Sequence, residues 1–204
     1  AGLPADIHAV WWPRFMASTR HILGWERLER ATVRERRAEV RAAPFPVGDT
    51  GVSLRGYADR IDLLPQGRAD ILDFKTGSSP SKAQAHTLIA PQLALEGALL
   101  MRGAFAGLAP MIPHQIAFVR LRPNGEVKEE SILQYRKTEK TAKQLSEEAW
   151  KRLNDLLGHY NQPTQGYLSR ALPFREDEVD GDYDHLARVL EWSAGGDGDP
   201  GEAE

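Results

Sequence analysis

The sequence has no cysteine among its 204 residues. This absence excludes disulfide scaffolds, thiolate zinc sites, cysteine nucleophiles and iron–sulfur clusters held by cysteine. The chain also lacks any uninterrupted apolar run near the length of about 18 residues that a transmembrane helix needs. Residues 1–6 lack the basic and then apolar pattern of a signal peptide. We therefore expect no membrane association, no iron–sulfur cluster and a reducing, cytoplasmic location.

Charge is distributed unevenly along the chain. Residues 176–204 contain eleven Asp or Glu and one Lys or Arg, so residues 1–175 keep 25 basic against 18 acidic residues, a net charge of +7. A basic body can bind a polyanion such as DNA, although ordinary solvated surface gives the same count. Residues 193–204 contain almost nothing apolar, and we expect them to be a disordered acidic tail.

Hydrophobic periodicity predicts alternating helices and strands. Helices are expected over residues 6–31, over 81–106 with an interruption near Pro91, and over 138–160. Strands are expected over residues 33–47, 52–64, 69–75, 112–122 and 126–135. This order indicates an α/β domain with a mixed or antiparallel central sheet flanked by helices.

One pair of predicted strands carries two carboxylates and a lysine in register. If residues 65–67 form a three-residue hairpin loop, the register places Asp59 directly opposite Asp73, with Cβ atoms about 5 Å apart. Lys75 lies two residues beyond Asp73 and therefore on the same face. The same alternation puts Asp62 on the opposite face, so we predict a structural role for it.

Facing carboxylates repel each other unless a cation lies between them. Their oxygen atoms suit Mg²⁺ or Mn²⁺, and a lysine beside such a metal can orient a water molecule or help to deprotonate it. A surface hairpin with scattered charges is the alternative interpretation. The apolar residues around the acids, such as Ile61, Ile71 and Phe74, favour the metal site.

These motifs resemble a known family. The pattern Gly-x-x-Asp at residues 56–59, followed by Asp-Phe-Lys-Thr-Gly at residues 73–77, resembles the RecB-type nuclease domain of the PD-(D/E)xK superfamily. Gln92, in Pro-Gln-Leu-Ala-Leu, stands where that family has a glutamine on the next helix. Residues 167–170 and 183–192 resemble the close of the AddB subunit of alphaproteobacterial helicase–nucleases that repair double-strand breaks.

The resemblance implies a fold, a reaction and a set of site residues. It implies a restriction-endonuclease-like core over residues 1–192 and a Mg²⁺- or Mn²⁺-dependent DNA exonuclease that works with an AddA-like helicase subunit. By position, Asp59, Asp73 and the carbonyl of Phe74 are the metal ligands. Lys75 is the catalytic lysine, and Gln92 contacts the substrate or orients the site.

The sequence departs from that family at several positions. RecB-type domains carry a metal-ligand histidine on an upstream helix, and neither His8 nor His21 has its Gly-x-x-x-His setting. Glu96 stands where the family often has tyrosine, and the cysteines that close some AddB-type domains are missing. Because the chain starts with Ala1, we expect it to begin after the upstream helix and to be a poor nuclease in isolation.

Two further questions stay open at this stage. Four basic residues are candidates for lining a DNA path, namely Lys82, Arg102, Arg120 and Arg122. The alternative to a nuclease is a non-catalytic DNA-binding or scaffold domain that docks a helicase partner.

Overall fold

The computed structural model describes residues 5–77, 79–122 and 124–166. Within these residues the helices are α1 (Ala5–Leu28), α2 (Lys82–His86), α3 (Gln92–Met101) and α4 (Ala142–Tyr160). The strands are β1 (Glu35–Pro46), β2 (Ser53–Leu63), β3 (Arg68–Lys75), β4 (Ile112–Leu121), β5 (Val127–Ser131), β6 (Gln134–Tyr135) and β7 (Thr138–Glu139).

The central sheet is mixed and has five strands in the order β1-β2-β3-β4-β5. Strands β3 and β4 are parallel, whereas the other neighbours are antiparallel. A parallel pair needs a crossover connection, and α2 and α3 provide it here. The predicted mixed α/β core flanked by helices is confirmed. Strands β6 and β7 form a separate two-stranded sheet.

The hairpin between β2 and β3 has the predicted loop and register. Leu64 N–H donates to the carbonyl of Arg68 at 2.9 Å, which closes a loop over residues 65–67. Gln66 and Gly67 adopt left-handed backbone angles, with φ of 64° and 68°. The loop therefore fixes the pairing between the two strands, which includes Ile61 with Ile71.

Both faces of the sheet are covered by apolar residues. On one face, here called the α3 face, Ile71, Ile116 and Phe118 belong to the main core together with residues of α3. On the other face, called the α1 face, Leu72 packs with Trp25 of α1. All the residues of β3 from 69 to 73 are buried, as expected of a strand that is covered on both faces.

Helix α3 approaches the sheet closely at Gly97. A Cβ atom at this position would overlap Ser146 Oγ of α4 and would lie 3.1 Å from Ile116 Cδ1 of β4. Glycine is therefore required for the close packing of α3 against both neighbours.

A buried ion-pair cluster lies on the α1 face. Arg30 follows α1 and contacts Asp62 Oδ2 at 2.8 Å and Asp70 Oδ2 at 2.7 Å. Arg60 donates to the same Asp62 carboxylate at 2.6 Å. Asp62 therefore lies on the face opposite Asp73. Through Arg30 it connects the segment that follows α1 to the sheet, which is the structural role predicted for it.

Three predicted boundaries are wrong in detail. The helix predicted over residues 138–160 begins only at Ala142, because Thr141 and Gln144 cap it reciprocally. The strand predicted over 126–135 is divided between β5 and β6. The helix predicted over 81–106 is interrupted before Gln92, as expected, but it ends at Met101.

The described strands lie in a compact unit formed by Ala1–Gly158, and a second unit begins at His159. The predicted boundary between a domain of residues 1–192 and a tail of residues 193–204 lies outside the described residues. The AddB-like segments at 167–170 and 183–192 also lie outside them.

Candidate active site

The two predicted carboxylates lie where strands β2 and β3 stop pairing. Backbone pairing between the strands ends at Arg60 with Leu72, so Asp59 and Asp73 occupy the next position of the same register. The backbone N–H of Phe74 donates to Asp59 Oδ2 at 2.8 Å. This hydrogen bond holds the Asp59 carboxylate against β3, beside Asp73.

Asp73 is buried between a cation and an amide. Lys75 Nζ lies 2.7 Å from Asp73 Oδ2, and Gln92 Nε2 donates to Asp73 Oδ1 at 3.2 Å. Burial raises the pKa of Asp73, and the neighbouring Asp59 carboxylate raises it further, while Lys75 opposes both effects. The structure therefore brings together all four predicted site side chains.

A third carboxylate lies next to this group. Glu96 is one helical turn after Gln92 on α3, and Gln92 Nε2 also donates to Glu96 Oε1 at 3.0 Å. Glu96 Oε2 is buried and has no hydrogen-bond partner among the described residues. Burial raises the pKa of Glu96 to about 8, and the charges of Asp73 and Asp59 act in the same direction.

Sequence reasoning noted Glu96 only as a departure from the family pattern. Its spacing of four residues from Gln92 was the available signal, because that spacing puts both side chains on one face of a helix. The sequence did not show that this face of α3 lies against Asp73, because that depends on how α3 packs on the sheet.

The donor set is chemically suited to a hard divalent cation. Carboxylate and carbonyl oxygens are the preferred ligands of Mg²⁺. Burial is the main cause of the raised pKa values of Asp73 and Glu96, and neighbouring carboxylates add to it; a cation would offset this repulsion. Across the described part of the chain, no group of three or more His, Cys, Asp or Glu side chains is arranged to hold a metal ion. The ring of His21 lies against the turn at Gly125.

Three of the four basic residues proposed for a DNA path separate into two places. Arg120 and Arg122 line a cavity next to Lys75, together with Lys128, which sequence reasoning missed. Arg102 instead lies over the ring of Trp150, with 4.0 Å between its Cζ atom and the ring centroid.

A family model described as the PD-(D/E)XK nuclease superfamily matches residues 4–169. The chain belongs to this superfamily. The PD-(D/E)XK assignment agrees with the mixed sheet and with the Asp-Phe-Lys sequence of residues 73–75. It indicates a nuclease-like domain, and nucleases of this superfamily generally use divalent metal ions such as Mg²⁺.

Similar proteins are found in Rickettsia. A protein of Rickettsia typhi is 26% identical over 104 residues, which is 50% of this chain and 12% of that protein. A Rickettsia conorii protein is 35% identical over 54 residues, which is 26% of this chain and 6% of that protein. Both are described only as uncharacterized, and the matched part is a small fraction of their length.

None of the helices in residues 5–77, 79–122 and 124–166 combines the length and the apolar character needed to cross a membrane.

Proposed function

We propose that this PD-(D/E)XK domain is a Mg²⁺- or Mn²⁺-dependent DNA exonuclease. The observation that supports the proposal is the arrangement around Asp73. This buried carboxylate contacts both Lys75 and Gln92, and Asp59 lies at the neighbouring register position. A scaffold domain has no need for a buried carboxylate whose pKa is raised by burial and by a neighbouring carboxylate.

Asp59, Asp73 and the Phe74 carbonyl would hold the cation. When bound, it offsets the charge that develops on the phosphate and makes water a stronger nucleophile. The hydrogen bond from Phe74 N–H fixes the Asp59 carboxylate before any ligand arrives. Gln92 does the same for Asp73, so both carboxylates are held by hydrogen bonds within the protein.

Lys75 has a role at the reacting phosphate. Its ammonium group lies at the end of β3 and is partly exposed, with 26% of the side chain accessible. It can therefore reach a phosphate oxygen or a water molecule while it stays paired with Asp73. In this position Lys75 orients the attacking water and stabilises the negative charge that forms as the phosphate is attacked.

The longer protein is proposed to be a cytoplasmic helicase–nuclease that processes double-strand breaks with an AddA-like partner. Two facts support this assignment. The segments at 167–170 and 183–192 resemble the close of AddB subunits, and the Rickettsia relatives are far longer than the region they share with this chain.

A divalent-metal titration on the complete protein tests the proposal. With Mg²⁺ or Mn²⁺, linear DNA should be degraded, whereas closed circular DNA should persist because an exonuclease needs an end. Retention of DNA without cleavage in either metal would favour the alternative, a non-catalytic DNA-binding or scaffold domain. The isolated chain is expected to cleave poorly, because neither His8 nor His21 stands in the Gly-x-x-x-His setting of the family's upstream histidine.

A further inference from the structure

Three basic side chains form a row across neighbouring strands. Lys75 pairs with Arg120 across β3 and β4, and Arg120 pairs with Lys128 across β4 and β5. Partners in register project from the same face, so the row lies on the α3 face, which also carries Asp73. Like charges placed directly opposite each other destabilise a sheet. The row is therefore a costly arrangement for which core packing gives no reason.

The acid beside this row neutralises only part of its charge. Glu130 accepts a hydrogen bond from Arg120 at 2.9 Å, and Lys128 Nζ lies 3.7 Å from its other oxygen. One carboxylate is thus shared by two cations. Arg120 also donates to the carbonyl of Pro80 at 3.2 Å, which fixes its guanidinium at the end of β4.

A cavity opens beside the row. It has a volume of about 340 Å³ and is lined by Lys75, Arg120, Arg122 and Lys128, with Glu130 as its acidic residue. It lies where the parallel strands β3 and β4 have their carboxyl ends, the edge at which open α/β sheets bind ligands. These four cations outnumber the three acids that pair with them, Asp73, Glu126 and Glu130, so the cavity keeps a positive potential that favours an anion.

We propose that this cavity and the row beside it bind neighbouring backbone phosphates of the DNA strand, next to the phosphate that is cleaved. The proposal rests on the proposed nuclease function, because Lys75 belongs to both sites. Strands lie about 4.8 Å apart, so the row spans about 10 Å. The row is therefore long enough to contact neighbouring phosphates of one strand. Contacts of this kind fix the position of a strand without reading its sequence.

The test is DNA binding by the 204-residue chain in EDTA, where no cleavage interferes. Fluorescence anisotropy of a labelled single strand is measured over a range of NaCl concentrations. The variant combines Arg122→Gln with Lys128→Gln, because both side chains are about half exposed and their loss does not disturb the core. The matched control combines Lys143→Gln with Lys151→Gln, two exposed lysines of α4.

The double variant should bind about tenfold more weakly at low salt, and its salt slope should fall by about 1.4, or about 0.7 for each lost phosphate contact. The control should stay within about twofold of the parent. Glu126→Gln should strengthen binding, because Glu126 pairs with Arg122 at 3.0 Å. An abasic strand should show the same loss as a normal strand, since the contact is to phosphate.

The inference is overturned if the double variant binds like the control, or if the loss appears only with strands that carry bases. Cleavage by the complete protein is measured separately. If the complete protein cleaves DNA but the double variant binds DNA as tightly as the parent, the phosphate site is wrong and the nuclease proposal stands. If the double variant binds DNA more weakly but the complete protein does not cleave DNA with any metal, the nuclease proposal is wrong and the phosphate site stands.

Discussion

Asp62 and Asp73 are both buried aspartates of one hairpin, yet their surroundings differ. Asp62 contacts two arginines on the α1 face, whereas burial and a neighbouring carboxylate raise the pKa of Asp73. The charge of Asp62 is therefore compensated within the fold, while the charge of Asp73 opposes folding at neutral pH. A residue of a functional site is expected to be buried with a perturbed pKa, as Asp73 is.

Neutralising the two aspartates should have opposite effects on stability. Asp62→Asn should lower the free energy of unfolding by about 3 kcal/mol, because it leaves buried arginine charge without its partner. Asp73→Asn should leave stability unchanged or raised, because it removes a charge that the fold disfavours. Urea denaturation at pH 7 in EDTA compares them. Equal destabilisation by both substitutions would contradict this distinction.

Glu96 should make stability depend on pH. Its pKa rises from 4.5 to about 8 in the folded protein, so the folded state retains a proton that the unfolded chain releases between those values. Stability therefore falls as pH rises through this window, by up to about 1.4 kcal/mol per pH unit.

Denaturation between pH 5 and pH 8 in EDTA, repeated on Glu96→Gln, measures this contribution. The amide cannot titrate, so the fall in stability should be smaller in the variant. The same pH dependence in both proteins would show that Glu96 is not the group responsible.

At the level of elements, the β2–β3 hairpin was the most predictable part of the fold. A three-residue loop that ends in glycine fixes the register locally, so the predicted register, in which Arg60 pairs with Leu72, is the one observed. The row formed by Lys75, Arg120 and Lys128 was not predictable in the same way. It depends on a parallel pairing between strands that are 37 or more residues apart in sequence, and no local signal specifies that pairing.

Helix boundaries were also harder to predict from the sequence than the hairpin was. The start of α4 was misplaced because Thr138 and Glu139 form β7, and the reciprocal cap of Thr141 and Gln144 determines where the helix begins. Similarly, Glu96 could be assigned to a helix, but its approach to Asp73 depends on how closely α3 packs on the sheet.

Gly97 should control that packing. Gly97→Ala should destabilise the protein by about 1–3 kcal/mol, because the new methyl group overlaps Ser146 and crowds Ile116. Gly158→Ala is the matched control, since that helical glycine has open space around it and alanine favours a helix. Thermal unfolding of both variants checks this expectation. Stabilisation by both substitutions would mean that α3 does not need the close approach.

At the scale of the whole molecule, the acidic end of the chain should compete with DNA. The residues up to 175 carry a net charge of +7, whereas residues 176–204 carry −10 from eleven acids and one base. Replacing Asp197, Asp199, Glu202 and Glu204 by their amides should therefore strengthen DNA binding at low salt. The gain should vanish as salt screens both interactions. Equal affinity at low ionic strength would contradict the competition.

The central claim is that the Asp73–Lys75 pair performs metal-dependent DNA cleavage. The most direct measurement is the rate at which the complete protein degrades linear DNA in Mg²⁺, compared between the parent and Lys75→Met. We expect the parent to cleave only with a divalent metal and the variant to be at least about 100-fold slower, because it lacks the ammonium group that stabilises developing charge. Cleavage by the parent in EDTA, or an undiminished rate in Lys75→Met, would contradict it.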